Sequence, residues 1–409
     1  MSLLIPNSRT MPVGTPQLPR LDPVGAVRHV AADLYYGHLP TKEDQARTAG
    51  VLREVGMHAP TAEEQATATA DLAKDAAAEA REREKLGDRA AAYDALATRL
   101  AAEPTARRAL QQLLLDGRLL GKPLVGTDPM LASLTRLERD PLAPGLDRTA
   151  LITGLVRELQ DPTAISQRGK NTCTVTTAIV LLDDENPAEV ARLVADLAAP
   201  AGRAKLANGG AATEGRRGAP SITRAKDWNA TNDGNRTPSM RLLQPALMGY
   251  GDAPLFRYDN TADTRRFPRI PATAIGLGLV AAAAFWQTNW LRRVELVLAG
   301  AAMLWDAFGS GLTSGMAARA QGALLGRSFR AVTVTRFNRD GAWQKFTAAL
   351  ATGKPLPCGA WYMGGGHELL AERIADGFVY YRNPWGTRER MGVDTFKASL
   401  IGISLPADG

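Results

Sequence analysis

Residues 165–182, ISQRGKNTCTVTTAIVLL, contain the first of the chain's two cysteines and are the starting point for its fold. The first half of this stretch is polar and its second half is apolar, which predicts a loop that delivers Cys173 to the start of a helix over 173–183. A thiol at a helix N-terminus feels the positive end of the helix dipole, and this lowers its pKa and favours the nucleophilic thiolate. A lone cysteine on an apolar helix is also often only a buried residue, so both interpretations stay open here.

The residues before this stretch are predicted to be mainly helical. Thr61-Ala-Glu-Glu64 is a capping box, and strong helix formers continue to about residue 103. Further helices are expected over 105–115 and 148–159, whereas four prolines between residues 123 and 144 predict a loop region.

The residues after it continue with a helix over 187–197 and a long loop over 208–239, rich in Gly, Asn, Thr and Arg. Two apolar runs then follow at 272–286 and 294–305. The first has only 15 residues, whereas a membrane span needs about 20. We therefore expect a buried helical hairpin and no stable membrane span.

The C-terminal part alternates in a way that is typical of strands. Strands are predicted over 329–337, 358–363, 369–374, 378–382 and 401–405, and a helix over 341–350. Helices followed by antiparallel strands form an α+β pattern, which is the predicted fold class.

Composition narrows the chemistry. The chain has 409 residues, 45% of them hydrophobic and 22% charged, which is a globular composition. Its two cysteines exclude a disulfide scaffold and a four-thiolate zinc site. It has four histidines, and three of them, His29, His38 and His58, are too dispersed to suggest a metal site. Any imidazole chemistry after residue 58 must therefore use His367.

The formal net charge is +7, but the basic residues are scattered and do not alternate with aromatics, so no nucleic-acid partner is expected. Residues 1–25 are proline-rich and predict a flexible tail without a signal peptide. We expect synthesis in the cytoplasm, with export by a specialised secretion system as an open alternative.

A second group of candidate residues lies near the C-terminus. Gly364-Gly-Gly-His367 places the imidazole behind three glycines, which allow close backbone approach by a ligand. His367-Glu368 begins an H-E-x-x-H pattern, but Ala371 stands at the second histidine position, so the zinc-protease pattern fails. Asn383-Pro-Trp-Gly386 follows. A core histidine and an ordinary Asn-Pro turn remain the simpler interpretations of these two segments.

Taken together, these positions resemble the papain-like cysteine peptidases, and Arg382-Asn-Pro-Trp-Gly386 most resembles the calpain branch. Gln167 precedes Cys173 by six residues, the spacing that this superfamily uses for its oxyanion-hole glutamine. The resemblance spans residues 161–409 and implies a two-lobe domain, a helical lobe beside an antiparallel β lobe. A loop and the apolar hairpin would be inserted at about 208–310.

The resemblance implies a role for each matched residue. Cys173 would be the nucleophile that forms a thioester, and His367 would hold its thiolate as an ion pair and protonate the leaving amine. Asn383 would accept a hydrogen bond from the imidazole, and Trp385 would shield that bond from water. In addition, the Gln167 side chain and the Cys173 N–H would form the oxyanion hole. Gly366 would leave space beside the histidine.

The chain departs from the family pattern at two positions. Thr174 stands where papain and calpain have a tryptophan, and Glu368 stands where a small residue usually follows the histidine. No calcium-binding D-x-D-x-D-G loop is evident, so neither a metal nor another cofactor is expected.

The sequence thus predicts a cysteine protease that acts on a protein or peptide, in the setting of a bacterial effector or toxin. Residues 26–160 would be a helical accessory region: an inhibitory pro-segment, a targeting module or a structural brace. The same residues also support deamidation, acyl transfer or transglutamination through the same thioester. A third alternative is a catalytically dead binding scaffold.

Overall fold

The computed structural model describes residues 36–37, 39–54, 60–207, 220–253, 257–266, 311–363 and 365–407. The predicted tail (1–25) and apolar hairpin (272–305) lie outside the described residues, as do 208–219 of the predicted loop.

Helices make up most of the first half of the described chain. In chain order they are α1 (Lys42–Thr48), α2 (Ala62–Lys74), α3 (Ala76–Glu84), α4 (Ala90–Arg99), α5 (Pro104–Leu115), α6 (Met130–Arg139), α7 (Arg148–Gln160), α8 (Cys173–Glu185), α9 (Pro187–Ala198), α10 (Pro238–Asp252), α11 (Ser314–Leu325), α12 (Arg339–Leu350) and α13 (Val393–Ser399).

Strands dominate the second half. They are β1 (Gly50–Glu54), β2 (Arg203–Lys205), β3 (Ser221–Thr223), β4 (Arg257–Asp259), β5 (Thr264–Arg266), β6 (Phe329–Thr333), β7 (Leu356–Tyr362), β8 (Gly365–Ala375), β9 (Phe378–Asn383), β10 (Thr387–Gly392) and β11 (Leu400–Pro406). Seven of them form one antiparallel sheet in the order β1-β10-β9-β8-β7-β11-β6, and the other four form two small hairpins. The chain is therefore α+β, as predicted.

Helices α4 to α11 share one hydrophobic core. It contains apolar side chains from α4 to α11, among them Leu96, Leu110, Leu134, Leu155, Ile179, Leu193 and Leu247. Because α6 and α7 pack against α9 and α10, the predicted boundary between residues 160 and 161 falls inside this continuous core.

The sheet has a second core. Leu369 and Ala371 of β8 pack there with Phe346 of α12 and Phe396 of α13, whereas Leu370 between them joins the helical core. Side chains of a strand alternate between the two faces of a sheet. Strand β8 is therefore covered on both faces, by α8 on one and by α12 on the other.

The described part of the region 26–160 is mainly helical, and it also contributes one strand to the sheet. Strand β1 pairs with β10 at the edge of the sheet. In the preceding helix α1, Gln45 is buried; its amide donates to the Trp361 carbonyl, and its side-chain oxygen accepts the Met363 N–H at 2.8 Å. Residues 39–54 thus support the end of β7 through Gln45, and no local sequence pattern predicts this contact.

Other sequence predictions need smaller corrections. The loop region predicted over 123–144 contains α6, whose Leu131, Leu134 and Leu137 lie on one buried face. Strand β3 and the start of α10 lie in the predicted loop 208–239. The strand predicted over 329–337 ends at Thr333, because Asn338 folds back and donates its side-chain amide to the Thr333 carbonyl at 2.9 Å.

No helix among the described residues is both long and apolar enough to cross a membrane.

Candidate active site

Cys173 is the first residue of α8, as the sequence predicts. The preceding loop is polar, and the helix that follows is buried along its length except for its last two residues. Helix α8 packs on β8, where the Thr177 hydroxyl lies 3.5 Å from the Glu368 carbonyl oxygen. Cys173 therefore lies beside the strand that carries His367.

The pKa of Cys173 differs from the expectation. Burial raises the pKa of the thiol above its ordinary value, and this outweighs the Glu368 and Thr174 backbone N–H groups, which lower it. Only 8% of Cys173 is exposed, and desolvation of a thiolate opposes the helix dipole. The sequence located the helix N-terminus but could not show how little water reaches it.

The loop before α8 carries Gln167, which is buried. Its backbone N–H donates to the Pro384 carbonyl at 2.8 Å, and its side-chain amide donates to the Lys170 carbonyl at 2.8 Å. The first bond joins this loop directly to the turn between β9 and β10. Gln167 and Asn383-Pro-Trp-Gly386 are thus held together, although more than 200 residues separate them.

Gln244 on α10 braces the same loop. Its amide nitrogen donates to the Ser166 carbonyl at 3.0 Å, and its amide oxygen accepts the Thr172 hydroxyl at 2.9 Å. One fully buried side chain therefore spans the loop from its start to its end. Sequence reasoning missed Gln244, because only the three-dimensional packing of α10 brings it here.

His367 lies in β8, opposite Ala360 of β7, and is 9% exposed. Its Nε2 lies 2.9 Å from Oδ1 of Asn383, the last residue of β9. The same oxygen accepts the Trp385 backbone N–H at 3.2 Å. Because a backbone N–H can only donate, this contact assigns the oxygen of the Asn383 amide to the side that faces His367.

Two aromatic rings pack on the imidazole. The ring centroids of Trp385 and Tyr362 lie 4.7 Å and 5.5 Å from that of His367. The turn that places Trp385 ends at Gly386, whose φ of 93° lies in the region that favours glycine. These rings limit the access of water to the hydrogen bond between His367 and Asn383.

Burial also lowers the pKa of His367, while the hydrogen bond to Asn383 and the nearby carboxylates of Glu389 and Glu368 raise it in part. The directions for Cys173 and His367 both favour the neutral form of each group. Both shifts therefore oppose a preformed ion pair of thiolate and imidazolium.

A buried carboxylate stands behind the amide. Asn383 donates its Nδ2 to Oε1 of Glu389 at 3.0 Å, and the Thr387 hydroxyl donates to the same oxygen at 2.5 Å. The Tyr362 hydroxyl donates to Oε2 at 2.7 Å. Sequence reasoning missed Glu389, because the alternation of buried and half-buried residues along Thr387-Arg-Glu-Arg-Met391, which puts Glu389 on the inner face, exists only in the folded sheet.

Glu368, the residue that departs from the family pattern, lies next to Cys173. Gln321 on α11 donates its amide to the Glu368 carboxyl at 3.2 Å. Burial is the main cause that raises the pKa of Glu368 to about 8, and a thiolate at Cys173 would act in the same direction. A carboxyl that stays protonated at neutral pH adds no charge beside the thiol.

For the other residues that the sequence singles out, the structure shows fewer contacts that would fix a role in the site. Gly366 lies in β8, and a side chain there would meet Ile401 at an ordinary 3.6 Å, so no backbone constraint requires glycine. Gly364 and the other three histidines lie outside the described residues. Cys358 is fully buried in β7, as expected of a small apolar residue. Within the described ranges, no cluster of metal-ligating side chains is found.

The sequence matches no protein-family model and no curated protein.

Proposed function

We propose that the chain is a papain-like cysteine hydrolase that cleaves peptide bonds through a thioester on Cys173. The observation that carries the proposal is the 2.9 Å contact of His367 Nε2 with Asn383 Oδ1, covered by Trp385, on a strand packed against the Cys173 helix. The two-lobe arrangement of that family is part of the proposal, with the helical core and the sheet core as its lobes. An accessory role for residues 26–160 belongs to it as well.

The raised pKa of Cys173 and the lowered pKa of His367 favour a first step that begins from a neutral thiol and a neutral imidazole. Since Asn383 Oδ1 can only accept, His367 carries its proton on Nε2 and keeps Nδ1 as the base. Nδ1 takes the thiol proton while the Cys173 sulfur bonds to the substrate carbonyl carbon. The imidazolium then passes that proton to the amine nitrogen as the C–N bond breaks, which leaves the thioester.

Water completes the cycle. His367 Nδ1 takes a proton from water as the hydroxyl adds to the thioester carbon. The C–S bond then breaks, the carboxylic acid leaves, and the imidazolium returns the proton to the Cys173 sulfur. The oxyanion of both steps would be bound by the Cys173 backbone N–H and the Gln167 amide. One amide hydrogen of Gln167 remains for this role after the other is given to Lys170.

One observation favours a second function, acyl transfer to an amine. Cys173 and His367 are only 8% and 9% exposed, and a site that excludes water lets a bound amine compete for the thioester. The residues and the first step are the same, and only the second nucleophile differs.

The test compares wild-type protein with Cys173→Ala and Cys358→Ala on a peptide library made from a digested proteome. Peptide cleavage predicts new termini with wild type and Cys358→Ala but none with Cys173→Ala. In a parallel reaction with a labelled primary amine, incorporation of the amine without cleavage would establish the second function instead. If all three proteins leave the peptides unchanged in both reactions, neither peptide cleavage nor acyl transfer occurs and the proposed function is wrong.

A further inference from the structure

Glu389 occupies a place in this site that the matched motif residues do not explain. It is 5% exposed and lies on β10, opposite Tyr381 of β9. Among the described residues no basic side chain forms an ion pair with it. Three neutral donors surround the carboxylate instead, from Asn383, Thr387 and Tyr362. Burying a carboxylate without a counterion costs free energy. We therefore asked what the three hydrogen bonds of Glu389 do in this site.

We propose that Glu389 is a positioning residue of this site: it fixes the amide of Asn383 and the ring of Tyr362, and through them the proton-bearing nitrogen of His367. The inference rests on the proposed function for its catalytic meaning, but the geometry that it describes is independent of any reaction.

The amide is the first of the two contacts. Oδ1 of Asn383 accepts from Trp385 and faces His367, and Nδ2 donates to Glu389. A flipped amide would place its oxygen against the Glu389 carboxylate and its NH2 against the Trp385 N–H. Both contacts would be repulsive, because two acceptors would meet on one side and two donors on the other. Glu389 therefore removes the flipped state.

The tyrosine is the second contact. The Tyr362 hydroxyl is anchored on Glu389 Oε2 at 2.7 Å, and the Tyr362 ring packs on His367 and edge-on against Trp385 at 5.6 Å. One carboxylate thus holds both the group that binds Nε2 and a ring that fixes the plane of the imidazole. It does so from β10, whereas His367 lies on β8 and Asn383 ends β9.

Three titratable groups act on this imidazole or pack against it: Glu368 from its own strand, Glu389 from β10 and Tyr362 from β7. The Glu389 charge favours the imidazolium, so its removal should lower the pKa of His367 further. A role that was only structural would not move this pKa or the tautomer.

The experiment compares Glu389→Gln and Glu389→Ala with wild type. The control is Glu189→Gln, which removes a fully buried carboxylate that pairs with Arg192 in α9. Imidazole 15N NMR at pH 8 reads the tautomer, and a His367→Asn spectrum assigns the resonance. The pH dependence of Cys173 alkylation, followed by mass spectrometry, reads the pKa of the base.

We expect wild type and Glu189→Gln to carry the His367 proton on Nε2. Glu389→Ala should show both tautomers, with alkylation of Cys173 slowed about tenfold. Glu389→Gln, which keeps the volume, should shift the lower limb of the pH profile to lower pH. If both Glu389 variants keep the wild-type tautomer and pH profile, or if wild type carries the proton on Nδ1, the proposal is wrong. Absence of peptide cleavage by wild type would refute the proposed function alone, because the NMR result does not depend on it.

Discussion

Replacing Asn383 by alanine measures how far the candidate site depends on the bond that orients His367. The substitution removes an acceptor 2.9 Å from Nε2 and 3.2 Å from the Trp385 N–H, and a donor 3.0 Å from Glu389. His367 is 9% exposed, so water does not readily replace the lost acceptor.

The size of the effect follows from the unpaired imidazole N–H. A buried donor without a partner costs about 1–3 kcal/mol. Since about 1.4 kcal/mol corresponds to a factor of ten, the reactive orientation should become about 5- to 150-fold less populated. Alkylation of Cys173 should slow by that factor, and peptide cleavage, if it occurs, should slow with it.

The assay is the rate of Cys173 modification by a small haloacetamide, resolved from Cys358 by peptide mass spectrometry. Asn338→Ala is the matched control. It removes the same kind of side-chain amide from the same half of the molecule, but Asn338 caps an exposed turn. Its Cys173 should react at the wild-type rate. Equal rates in Asn383→Ala and wild type would show that Asn383 does not orient a base for Cys173, and the mechanism proposed above would fail.

Three further predictions follow from other parts of the molecule. Because burial raises the pKa of both thiols, the alkylation rate of Cys173 should rise a second time through pH 9, above the limb that His367 sets, and the fully buried Cys358 should stay slower throughout; absence of that second rise would contradict the direction of the Cys173 pKa shift. Asp183 is fully buried, and neither of its carboxyl oxygens has a hydrogen-bond partner among the residues that the structure describes, so burial raises its pKa well above the unfolded value. Below about pH 4 Asp183 is protonated in both the folded and the unfolded state, and its titration does not reduce stability. As the pH rises from there toward the folded pKa, the free energy of unfolding falls by up to about 1.4 kcal/mol per pH unit. Asp183→Asn should therefore stabilise the protein at pH 7 but not at pH 3 in urea titrations. Removal of residues 1–59 deletes α1 and β1 and should lower the midpoint of thermal unfolding and the Cys173 reactivity together; a truncated protein that is more reactive would favour the inhibitory pro-segment instead.

Local patterns were sufficient for the elements with strong signals. The capping box at Thr61 does begin α2, with both of its reciprocal hydrogen bonds formed. The helices predicted at 105–115, 148–159, 173–183 and 187–197 lie within two residues of α5, α7, α8 and α9 at each end. Helices α5, α7 and α9 combine a capping or proline residue at the start with an apolar face, whereas α8 is recognised by its change from a polar to an apolar sequence, and all of these are local features.

Elements that depend on distant partners were missed. Strand β1 exists because β10 offers it an edge, and nothing in Gly50–Glu54 alone predicts the pairing. Strand β10 itself carries alternating arginines, which hide its inner residues Thr387 and Glu389 from a search for apolar runs. Helix α6 lies among prolines whose spacing predicts a loop, but Pro129 stands just before the first turn of the helix and does not interrupt it.

The sequence by itself determined which groups are present: one thiol at a helix start, one imidazole after residue 58, and an asparagine and a tryptophan sixteen and eighteen residues beyond it. It could do so because these features are matters of identity and spacing. Only the tertiary structure decided their protonation and orientation. The pKa of Cys173 and of His367 depends on burial, and the amide of Asn383 is oriented by Trp385 and Glu389. Burial and hydrogen bonding are properties of packed surfaces, and these surfaces form between segments up to about 200 residues apart in the chain.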